Sequence, residues 1–393
     1  MHIDTDPKKI DALLTRGVDE LIHEKELRKK LLSGKQLRIK LGIDPTSANL
    51  HIGRSIPLLK LRDFQELGHQ IIFIVGDFTG VIGDTSDKES ERPMLTQEQI
   101  DANKQTYYDQ VAKILDIDKV EFRYNSEWLA SLTYREIGEH ADQFSVADFI
   151  ARDNIKRRLD AGKRVSLRET LYPLLQGYDS VAIGVDVELG GTDQRFNLLA
   201  GRTLQEYFGQ TPQNILTNPL INGLDGRKMS SSWGNTITLT AAAPDMYGKV
   251  MSMADEEIVT YFTVCTRVSL EEVAEVDAAL KAGENPRDMK MKLARVLVTM
   301  YHNAEAAQSA EQAFIDTFQK GGVPDKLPEL SGDYVAGLLD AELVASKSEL
   351  RRLLEAGGVR NADTGEKYTE IPKTVSEPTI LKIGKRRFVK LLP

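Results

Sequence analysis

The sequence predicts an α/β chain that begins with a doubly wound, parallel-sheet domain and continues into an all-α domain and a small α+β module. Three observations lead to this prediction. Short runs rich in β-branched residues alternate with amphipathic helices from residue 37 to residue 221. Strand patterns then stop after Ala241, and helical stretches follow. A basic segment with its own helix and strand pair ends the sequence.

The first elements have the pattern of a βαβ unit. Residues 37–43 and 71–75 are apolar runs of strand length, and an amphipathic stretch over residues 53–67 connects them. Because such crossovers are right-handed and join parallel strands, we expect a Rossmann-like sheet that binds ligands at the carboxyl ends of its strands. Further strands are predicted at Val120–Tyr124, 187–190 and 215–220.

Helical patterns dominate the remaining sequence. A polar, charged stretch over residues 125–168 interrupts the alternation and is predicted to be helical. Further helices are predicted over residues 244–253, 255–266, 270–282, 286–320 and 346–354, with a strand pair around residues 382–390. These boundaries give a Rossmann-like domain (1–240), a helical domain (241–320), a linker (321–342) and a C-terminal module (343–393).

The composition indicates a soluble globular protein. At 393 residues the chain exceeds one ordinary domain, and 41% of its residues are hydrophobic while 28% are charged. The single cysteine, Cys265, cannot form an internal disulfide, which fits a reducing cytosol, so we expect a cytoplasmic location. The sequence begins without a signal-peptide pattern, and its apolar runs are too short to cross a bilayer, so no membrane role is expected.

Charge is distributed unevenly along the sequence. The formal net charge is −8, yet residues 343–393 contain 11 Lys or Arg against 6 Asp or Glu, which leaves −13 for the rest. A basic module on an acidic body suggests contact with RNA. A simpler interpretation is that these cations only keep a terminal segment soluble.

Two short motifs carry most of the chemical information. His51-Ile52-Gly53-Arg54 lies between a predicted strand and a predicted helix, and Lys228-Met229-Ser230-Ser231-Ser232 begins 177 positions later in a glycine-rich turn. A helix N-terminus, an imidazole and mobile cations such as Lys228 and Arg227 can meet negative charge that develops on a phosphate chain. Either motif alone would be read as a helix cap or a flexible loop. Their pairing favours a nucleotide site.

Together, the two motifs resemble the HIGH and KMSKS signatures of class I aminoacyl-tRNA synthetases. A third pattern narrows the resemblance. Tyr172, Gln176 and Asp179 are spaced i, i+4 and i+7, so they share one helix face. This row, with Gly42–Thr46 (Gly-Ile-Asp-Pro-Thr) and Gly83-Asp84, resembles the tyrosine site of tyrosyl-tRNA synthetases of bacterial or organellar type.

This resemblance implies roles for individual residues. Asp179 would accept a hydrogen bond from the substrate phenol, while Tyr172, Gln176 and Asp84 would hold its α-ammonium group. Catalysis would depend on Thr46, His51, Arg54, Lys228 and Ser231, of which Thr46 and His51 would face the ATP phosphates. The ATP-binding set would be His51, Gly53, Asp193 and Lys228, and Asp44, Gln194 and Lys40 would complete the tyrosine site.

Three residues depart from the family pattern. Arg54 stands where histidine is usual, and Ser231 replaces the second lysine of KMSKS. Lys40 stands where many members have a tyrosine, so it could donate to the substrate hydroxyl or pair with Asp179. These departures leave room for a non-catalytic RNA-binding protein on a synthetase scaffold.

Two further enzyme classes share parts of this pattern. Tryptophanyl-tRNA synthetase has the same fold and the Lys-Met-Ser-Ser-Ser spelling of the second motif. A small nucleotidyltransferase could have a loop like that of the first motif, but such enzymes are much shorter than 393 residues. The spacing of Tyr172, Gln176 and Asp179, together with the basic C-terminal module, favours the tyrosine enzyme.

The resemblance also implies partners. ATP would bring Mg²⁺, with no protein-bound metal, and L-tyrosine and tRNA(Tyr) would be the other substrates. The helical insertion would form a homodimer interface, and residues 241–320 would lie on the anticodon side. The C-terminal module resembles an RNA-binding module of ribosomal small-subunit proteins, and its candidate RNA-binding residues are Lys347, Arg351, Arg352, Lys385, Arg386 and Arg387.

Overall fold

The computed structural model describes residues 2–85, 94–318, 327–341, 343–344, 346–384 and 387–393. The chain forms two compact units, Met1–Ala304 and Glu305–Pro393. The strands are β1 (Glu20–Ile22), β2 (Arg38–Ile43), β3 (Gln70–Val75), β4 (Val120–Tyr124), β5 (Val187–Gly191), β6 (Asn214–Asn218), β7 (Glu329–Leu330), β8 (Val359–Asn361), β9 (Thr379–Ile383) and β10 (Arg387–Leu391).

Helices make up most of the first unit. Those before the end of the sheet are α1 (Pro7–Thr15), α2 (Glu24–Leu32), α3 (Ile52–Glu66), α4 (Thr79–Ile82), α5 (Gln97–Lys104), α6 (Tyr107–Ala112), α7 (Ser126–Leu129), α8 (Tyr134–Ala141), α9 (Val146–Ile150), α10 (Asp153–Asp160), α11 (Leu167–Ile183) and α12 (Arg195–Tyr207). Those that follow are α13 (Ala243–Ser252), α14 (Ile258–Cys265), α15 (Leu270–Lys281) and α16 (Pro286–Tyr301).

Within the described residues, the first unit holds a six-stranded sheet of order β1-β6-β5-β2-β3-β4. All neighbouring pairs are parallel except β1 with β6. The chain proceeds outward from β2 through β3 to β4, then returns to β5 on the other side of β2, so the switch point lies between β2 and β5. The predicted doubly wound α/β class is confirmed, with one antiparallel edge strand added.

Buried strands explain why the sheet was visible in the sequence. β3 is an apolar run because both of its faces are covered, and every residue from Ile71 to Val75 is inaccessible to solvent. Val120–Tyr124 forms the strand predicted for it. The antiparallel edge strand β1 was not predicted, since three residues are too few to give an alternating pattern.

Helix α11 packs closely on α12. A Cβ added to Gly177 would lie 2.9 Å from the backbone carbonyl carbon of Ala200, so the two helices can approach this closely only with glycine there. Ser166 caps the N-terminus of α11 in a capping box with Glu169, and Gly184 ends the helix in a left-handed conformation. The helix that carries Tyr172, Gln176 and Asp179 is therefore held firmly against its neighbour.

One helix prediction was wrong. Residues 286–320 were expected to form a single helix, but α16 ends at Tyr301 and α17 (Ala304–Phe318) begins a new one. His302 leaves the helical conformation at φ −127° and ψ −100°, and its ring lies 2.9 Å from the Ala241 carbonyl oxygen. Residues 255–266 also divide, into a 3₁₀ turn and α14.

The second unit contains α18 (Tyr334–Asp340), α19 (Lys347–Glu355) and, within its described residues, a four-stranded sheet of order β7-β10-β9-β8. The predicted strand pair is present as antiparallel β9 and β10. Side chains from the helices and the sheet share a core: Tyr334, Leu338, Val344, Leu350, Val359, Leu381, Ile383, Val389 and Leu391. None of the helices in the described part of the chain has the length and apolar character needed to span a bilayer.

Candidate active site

A cleft of about 450 Å³ opens at the carboxyl ends of the parallel strands in the first unit. This volume is in the range of small-molecule sites. The cleft brings together nearly all the residues that the sequence singled out in this unit: Asp44, Thr46, His51, Gly53, Arg54, Asp84, Tyr172, Gln176, Asp179, Asp193, Gln194, Lys228 and Ser231. Lys40 does not line it.

The two signature motifs meet in space. The sulfur of Met229 lies 3.3 Å from the backbone nitrogen of Gly53, and a Cβ on Gly53 would come within 3.1 Å of the His51 ring. Backbone hydrogen bonds hold the first motif to the segment after the second: Ile52 N–H donates to the Ile237 carbonyl, and Leu239 N–H donates to Leu50. Two motifs that begin 177 positions apart in sequence therefore form one wall of the cleft.

The start of α3 offers fewer backbone donors than its sequence suggested. The N–H groups of Ile52 and Arg54 are already bonded to backbone carbonyls. Among the described residues, the N–H of Gly53 has the Met229 thioether as its acceptor, and a thioether is a weak one. A phosphate oxygen could displace that sulfur, so Gly53 is the donor that this helix end makes available.

His51 does not cap the helix. It occupies the N-cap position without a capping hydrogen bond, and its Nδ1 atom has no hydrogen-bond partner among the residues that the structure describes. Burial, together with the positive charges of Arg54 and Lys228, lowers the pKa of the His51 imidazole to about 3. The ring is therefore neutral at physiological pH and can offer one N–H to a ligand in the cleft.

The second motif lies on a more exposed loop. The Lys228 ammonium lies 2.9 Å from Asp193 Oδ2. Arg227 binds Asp225, and its guanidinium lies 4.7 Å from the centre of the Trp233 ring. Ser231, which stands where the family has a second lysine, is exposed at the start of a short 3₁₀ turn. Lys228 and Ser231 thus line the outer end of the cleft, while Arg227 is held by its own loop.

At the inner end, Asp179 is fully enclosed. Trp128 Nε1 donates to its Oδ1 atom at 2.8 Å, and Asn125 Nδ2 donates to Oδ2 at 3.4 Å. Burial raises the pKa of the Asp179 carboxyl to about 7, although Lys40, Trp128 and Asn125 all act to lower it. A hydrogen-bond acceptor is therefore held at the inner end of the cleft with only 3% of its surface exposed.

Two further carboxylates line the inner end. Asp44 accepts hydrogen bonds from the Tyr172 hydroxyl at 2.9 Å and from Thr79 Oγ1 at 2.7 Å. Asp84 accepts one from Gln194 Nε2 at 2.7 Å. Burial and the neighbouring carboxylates raise the pKa of Tyr172 well above its ordinary value, so it remains a neutral donor. This arrangement suits a cationic group that sits among acceptors.

Lys40 differs from both sequence-based interpretations. Its ammonium is completely buried and pairs with Glu188 at 2.8 Å. It also donates to the Gln176 carbonyl oxygen at 3.0 Å and to Ser180 Oγ at 2.9 Å. Its partner is therefore Glu188 rather than Asp179, and it lies beneath the cleft wall, out of reach of a ligand hydroxyl. The cross-strand neighbour, Glu188, was not identified from the sequence.

Two lining residues, Asn125 and Gly76, were missed although a general rule could have found them. Asn125 directly follows β4 and Gly76 directly follows β3, so both lie at the carboxyl edge where ligands are expected. A Cβ on Gly76 would lie 2.0 Å from Asp44 Oδ1, so only glycine leaves room for that carboxylate. Trp128 and Thr79 gave no comparable pattern, because their roles depend on contacts between distant segments.

The C-terminal candidates fall into two groups. Lys347, Arg351 and Arg352 are exposed on α19. Arg387 is different, because its guanidinium donates to the Leu343 carbonyl oxygen at 2.6 Å and to Glu349 at 2.9 Å, which uses it to hold the module together. The two remaining candidates, Lys385 and Arg386, lie outside the described residues.

Comparison with known proteins shows which family this chain resembles. A family model described as tRNA synthetases class I (W and Y) matches residues 32–319. The tyrosine--tRNA ligase of Shewanella oneidensis is 46% identical over 395 residues, covering 98% of this chain and 99% of that protein. The tyrosine--tRNA ligase of Moorella thermoacetica is 47% identical over 393 residues, covering 96% and 94%.

A solved structure supports the same grouping. The crystal structure of tyrosyl-tRNA synthetase complexed with L-tyrosine from Archaeoglobus fulgidus is similar with a TM-score of 0.62 at 25% identity. It covers 77% of this chain and 99% of that chain. The chain therefore belongs to the class I tRNA synthetase family of the tryptophan and tyrosine enzymes, and within it to the tyrosyl-tRNA synthetases.

Proposed function

We propose that this chain is a tyrosine--tRNA ligase, which activates L-tyrosine with ATP to tyrosyl-adenylate and then transfers tyrosine to the 3′-terminal adenosine of tRNA(Tyr). The observation that carries the proposal is the row Tyr172, Gln176 and Asp179 on one face of α11, lining the same cleft as His51 and Lys228. Relatives 44–47% identical over nearly the whole chain are tyrosine--tRNA ligases, which supports it.

Tyrosine would occupy the inner end of the cleft, which we call the tyrosine end. Its phenol would donate to Asp179, the carboxylate that Trp128 and Asn125 hold in place. Its α-ammonium would lie among Asp84, Tyr172 and Gln176, with Asp44 and Gln194 beside it. An indole has no hydroxyl for Asp179 to accept from, so this site favours tyrosine over tryptophan.

ATP would occupy the outer end, which we call the ATP end. The neutral His51 imidazole and Lys228 would meet the charge that builds on the phosphates, and Thr46 and Arg54 line the same region. Gly53 leaves room for the adenosine to approach, and Asp193 would bind the ribose hydroxyls. Since Lys228 pairs with Asp193 here, ribose binding would release Lys228 towards the phosphates.

Mg²⁺ would enter with ATP, bound to its phosphate oxygens. The charged and imidazole groups that would meet the phosphates, those of His51, Arg54 and Lys228, suit phosphate oxygens rather than a metal cation. When bound, Mg²⁺ would screen the charge of the departing pyrophosphate. The amino-acid carboxylate attacks the α-phosphate directly, so no covalent enzyme intermediate is needed.

The second step needs tRNA. We assign tRNA contact to the C-terminal module, in which Lys347, Arg351 and Arg352 form an exposed basic face, and to the helical region after residue 241. The helical insertion over residues 125–168 is proposed to mediate homodimer formation, and the location is proposed to be cytoplasmic. Replacing Arg351 and Arg352 with glutamine in the full chain should weaken tRNA binding and flatten its salt dependence.

One assay separates the tyrosine enzyme from the tryptophan enzyme and from a non-catalytic protein. ATP–pyrophosphate exchange, measured with each of the twenty amino acids, should proceed with L-tyrosine and be far slower with L-tryptophan or L-phenylalanine. Exchange with tryptophan instead would establish the other enzyme of the family. Exchange with no amino acid, under conditions in which a known tyrosine ligase is active, would favour a non-catalytic RNA-binding protein.

A further inference from the structure

Lys40 and Glu188 form a buried ion pair at the switch point of the sheet. They are direct cross-strand neighbours on β2 and β5, and their exposed fractions are 0% and 1%. The cleft lies above these two strands, so the pair stands immediately beneath the tyrosine end. A charge pair in such a place is expensive to desolvate and adds little stability that apolar side chains could not supply.

Both members of the pair reach α11. Besides its contacts with the Gln176 carbonyl and Ser180, Lys40 neutralises Glu188. Glu188 accepts hydrogen bonds from Ser180 Oγ at 3.1 Å and from the side-chain amide Nε2 of Gln176 at 3.2 Å. Gln213 Nε2 donates to the same carboxylate. The network therefore connects the sheet to one of the residues that line the cleft.

The chemistry of these groups determines which way the Gln176 amide faces. An ionised carboxylate only accepts hydrogen bonds, so the amide group that approaches Glu188 must be the NH₂. The amide oxygen is then the part of Gln176 that can turn to the cleft. A substrate ammonium carries only donors, so it is bound by that oxygen and would be repelled by the NH₂ of a flipped amide.

We propose that Glu188, neutralised by Lys40, is a positioning residue for the substrate α-ammonium, because it fixes the Gln176 side-chain amide with its oxygen towards the cleft. This inference rests on the proposed function, since it takes tyrosine as the ligand. Glu188 acts only through Gln176 and does not touch the substrate. The pair is retained for this orientation rather than for stability.

The test compares two ligands that differ only in the ammonium group. Dissociation constants for L-tyrosine and for 3-(4-hydroxyphenyl)propionate are measured by calorimetry on the full chain. The Lys40→Met/Glu188→Met variant replaces both charges with apolar side chains of similar volume. In this variant the preference for tyrosine, expressed as the ratio of the two dissociation constants, should fall on the order of 10-fold. The ratio of the two constants cancels any change at the phenol that both ligands share.

Three further variants distinguish a changed orientation of the Gln176 amide from a general disruption of the site. Glu188→Gln keeps an oxygen that can accept from both Lys40 and Gln176, so it should retain the preference to within about 3-fold. In a Gln176→Met background, removing the pair should lower the preference no further. Lys60→Met removes another buried lysine of the same unit, one that binds Asp63 and the Leu13 carbonyl, and should leave the preference unchanged.

Different results would refute the positioning role of Glu188 and the proposed function. An unchanged tyrosine preference in the Lys40→Met/Glu188→Met variant would overturn the positioning role, as would a further loss in the Gln176→Met background. Should that double variant fail to fold, Lys40→Met/Glu188→Leu carries the same expectation, because it too removes both charges and the acceptor that faces the Gln176 amide. Failure of the unmodified protein to bind tyrosine would instead refute the proposed function.

Discussion

At the tyrosine end of the cleft, Asp179 is buried and receives hydrogen bonds from Trp128 and Asn125, whereas at the ATP end Ser231 is exposed on a loop. Hydrogen bonds at the tyrosine end are little screened by water because their atoms are buried. Each of them therefore has a large effect on affinity and requires a strict geometry. Charges at the ATP end are partly screened by solvent and act over a longer range than a hydrogen bond does.

This contrast explains how each end departs from the family pattern. At the exposed end, Ser231 stands where the family has a lysine, and its side chain is exposed to solvent. At the buried end, Lys40 replaces a neutral residue and is paired with Glu188, because a buried charge without a partner would be strongly destabilising. Removing one member of the Lys40–Glu188 pair alone should therefore be more destabilising than a single change at Ser231.

The largest expected effect is at His51, which is the buried member of the ATP end. His51→Ala should slow tyrosyl-adenylate formation by about 10²–10³-fold, because it removes a fixed donor that meets charge only in the transition state. Single-turnover activation measures this rate, and the KM for tyrosine should remain nearly unchanged.

A matched control for His51 is available in the same unit. His69 is also buried, its pKa is lowered to about 4, and it lies outside the cleft. His69→Ala should lower the melting temperature without slowing activation. Equal losses of activation rate in the two variants would show that His51 matters only for folding.

Asp179 should give the next largest effect. Asp179→Asn keeps the shape of the side chain but removes the charged acceptor for the phenol, so the KM for tyrosine should rise roughly 10- to 100-fold while the KM for ATP stays constant. Pyrophosphate exchange at varied tyrosine and ATP measures both. Asp77→Asn is the control, since Asp77 is buried nearby, accepts from Ser126, and does not line the cleft.

Prediction from sequence was accurate where local patterns determine the structure. The apolar run of β3, the crossover helix α3 and the face shared by Tyr172, Gln176 and Asp179 were all visible, because each depends on the spacing of neighbouring residues. The meeting of the two signature motifs was inferred from the family resemblance. Spacing alone contains no information about which segments touch.

The remaining features depend on contacts between distant parts of the chain. Lys40 and Glu188 are 148 positions apart, and their pairing follows from the adjacency and register of β2 and β5. The pKa of Asp179 likewise depends on burial and on groups from other parts of the chain, namely Lys40, Asn125, Trp128 and Glu188. The break between α16 and α17 was missed because the helical pattern continues through His302, and the ring contact with Ala241 is non-local.

The KM for tyrosine should also depend on pH, because Asp179 at the tyrosine end changes its protonation state. Because burial raises the pKa of Asp179 to about 7, a substantial fraction of this carboxyl is protonated at pH 6 and cannot accept the substrate phenol well. The KM for tyrosine should therefore fall about 10-fold between pH 6 and pH 8, as Asp179 loses its proton. The same measurement on Asp179→Asn should show no such change.

His51 at the ATP end is expected to show the opposite behaviour, with no change of protonation state over the same pH range. Its pKa of about 3 keeps the imidazole neutral throughout that pH range, so the activation rate at saturating tyrosine should show no transition near pH 6.5, where an ordinary histidine titrates. A transition there that disappears in His51→Ala would mean that the ring is more accessible to water than its burial indicates.

The smallest effect is expected at Ser231. Ser231→Lys adds back the cation of the family signature on the exposed loop, and it should increase the activation rate roughly 2- to 5-fold, which is the range for a solvent-screened charge. The gain should shrink as salt is added, and it should be accompanied by a lower KM for pyrophosphate in the reverse reaction. Ser232→Lys places the same charge one residue away. An equal gain from both variants would show that net charge at the ATP end matters and that the position of the second lysine does not.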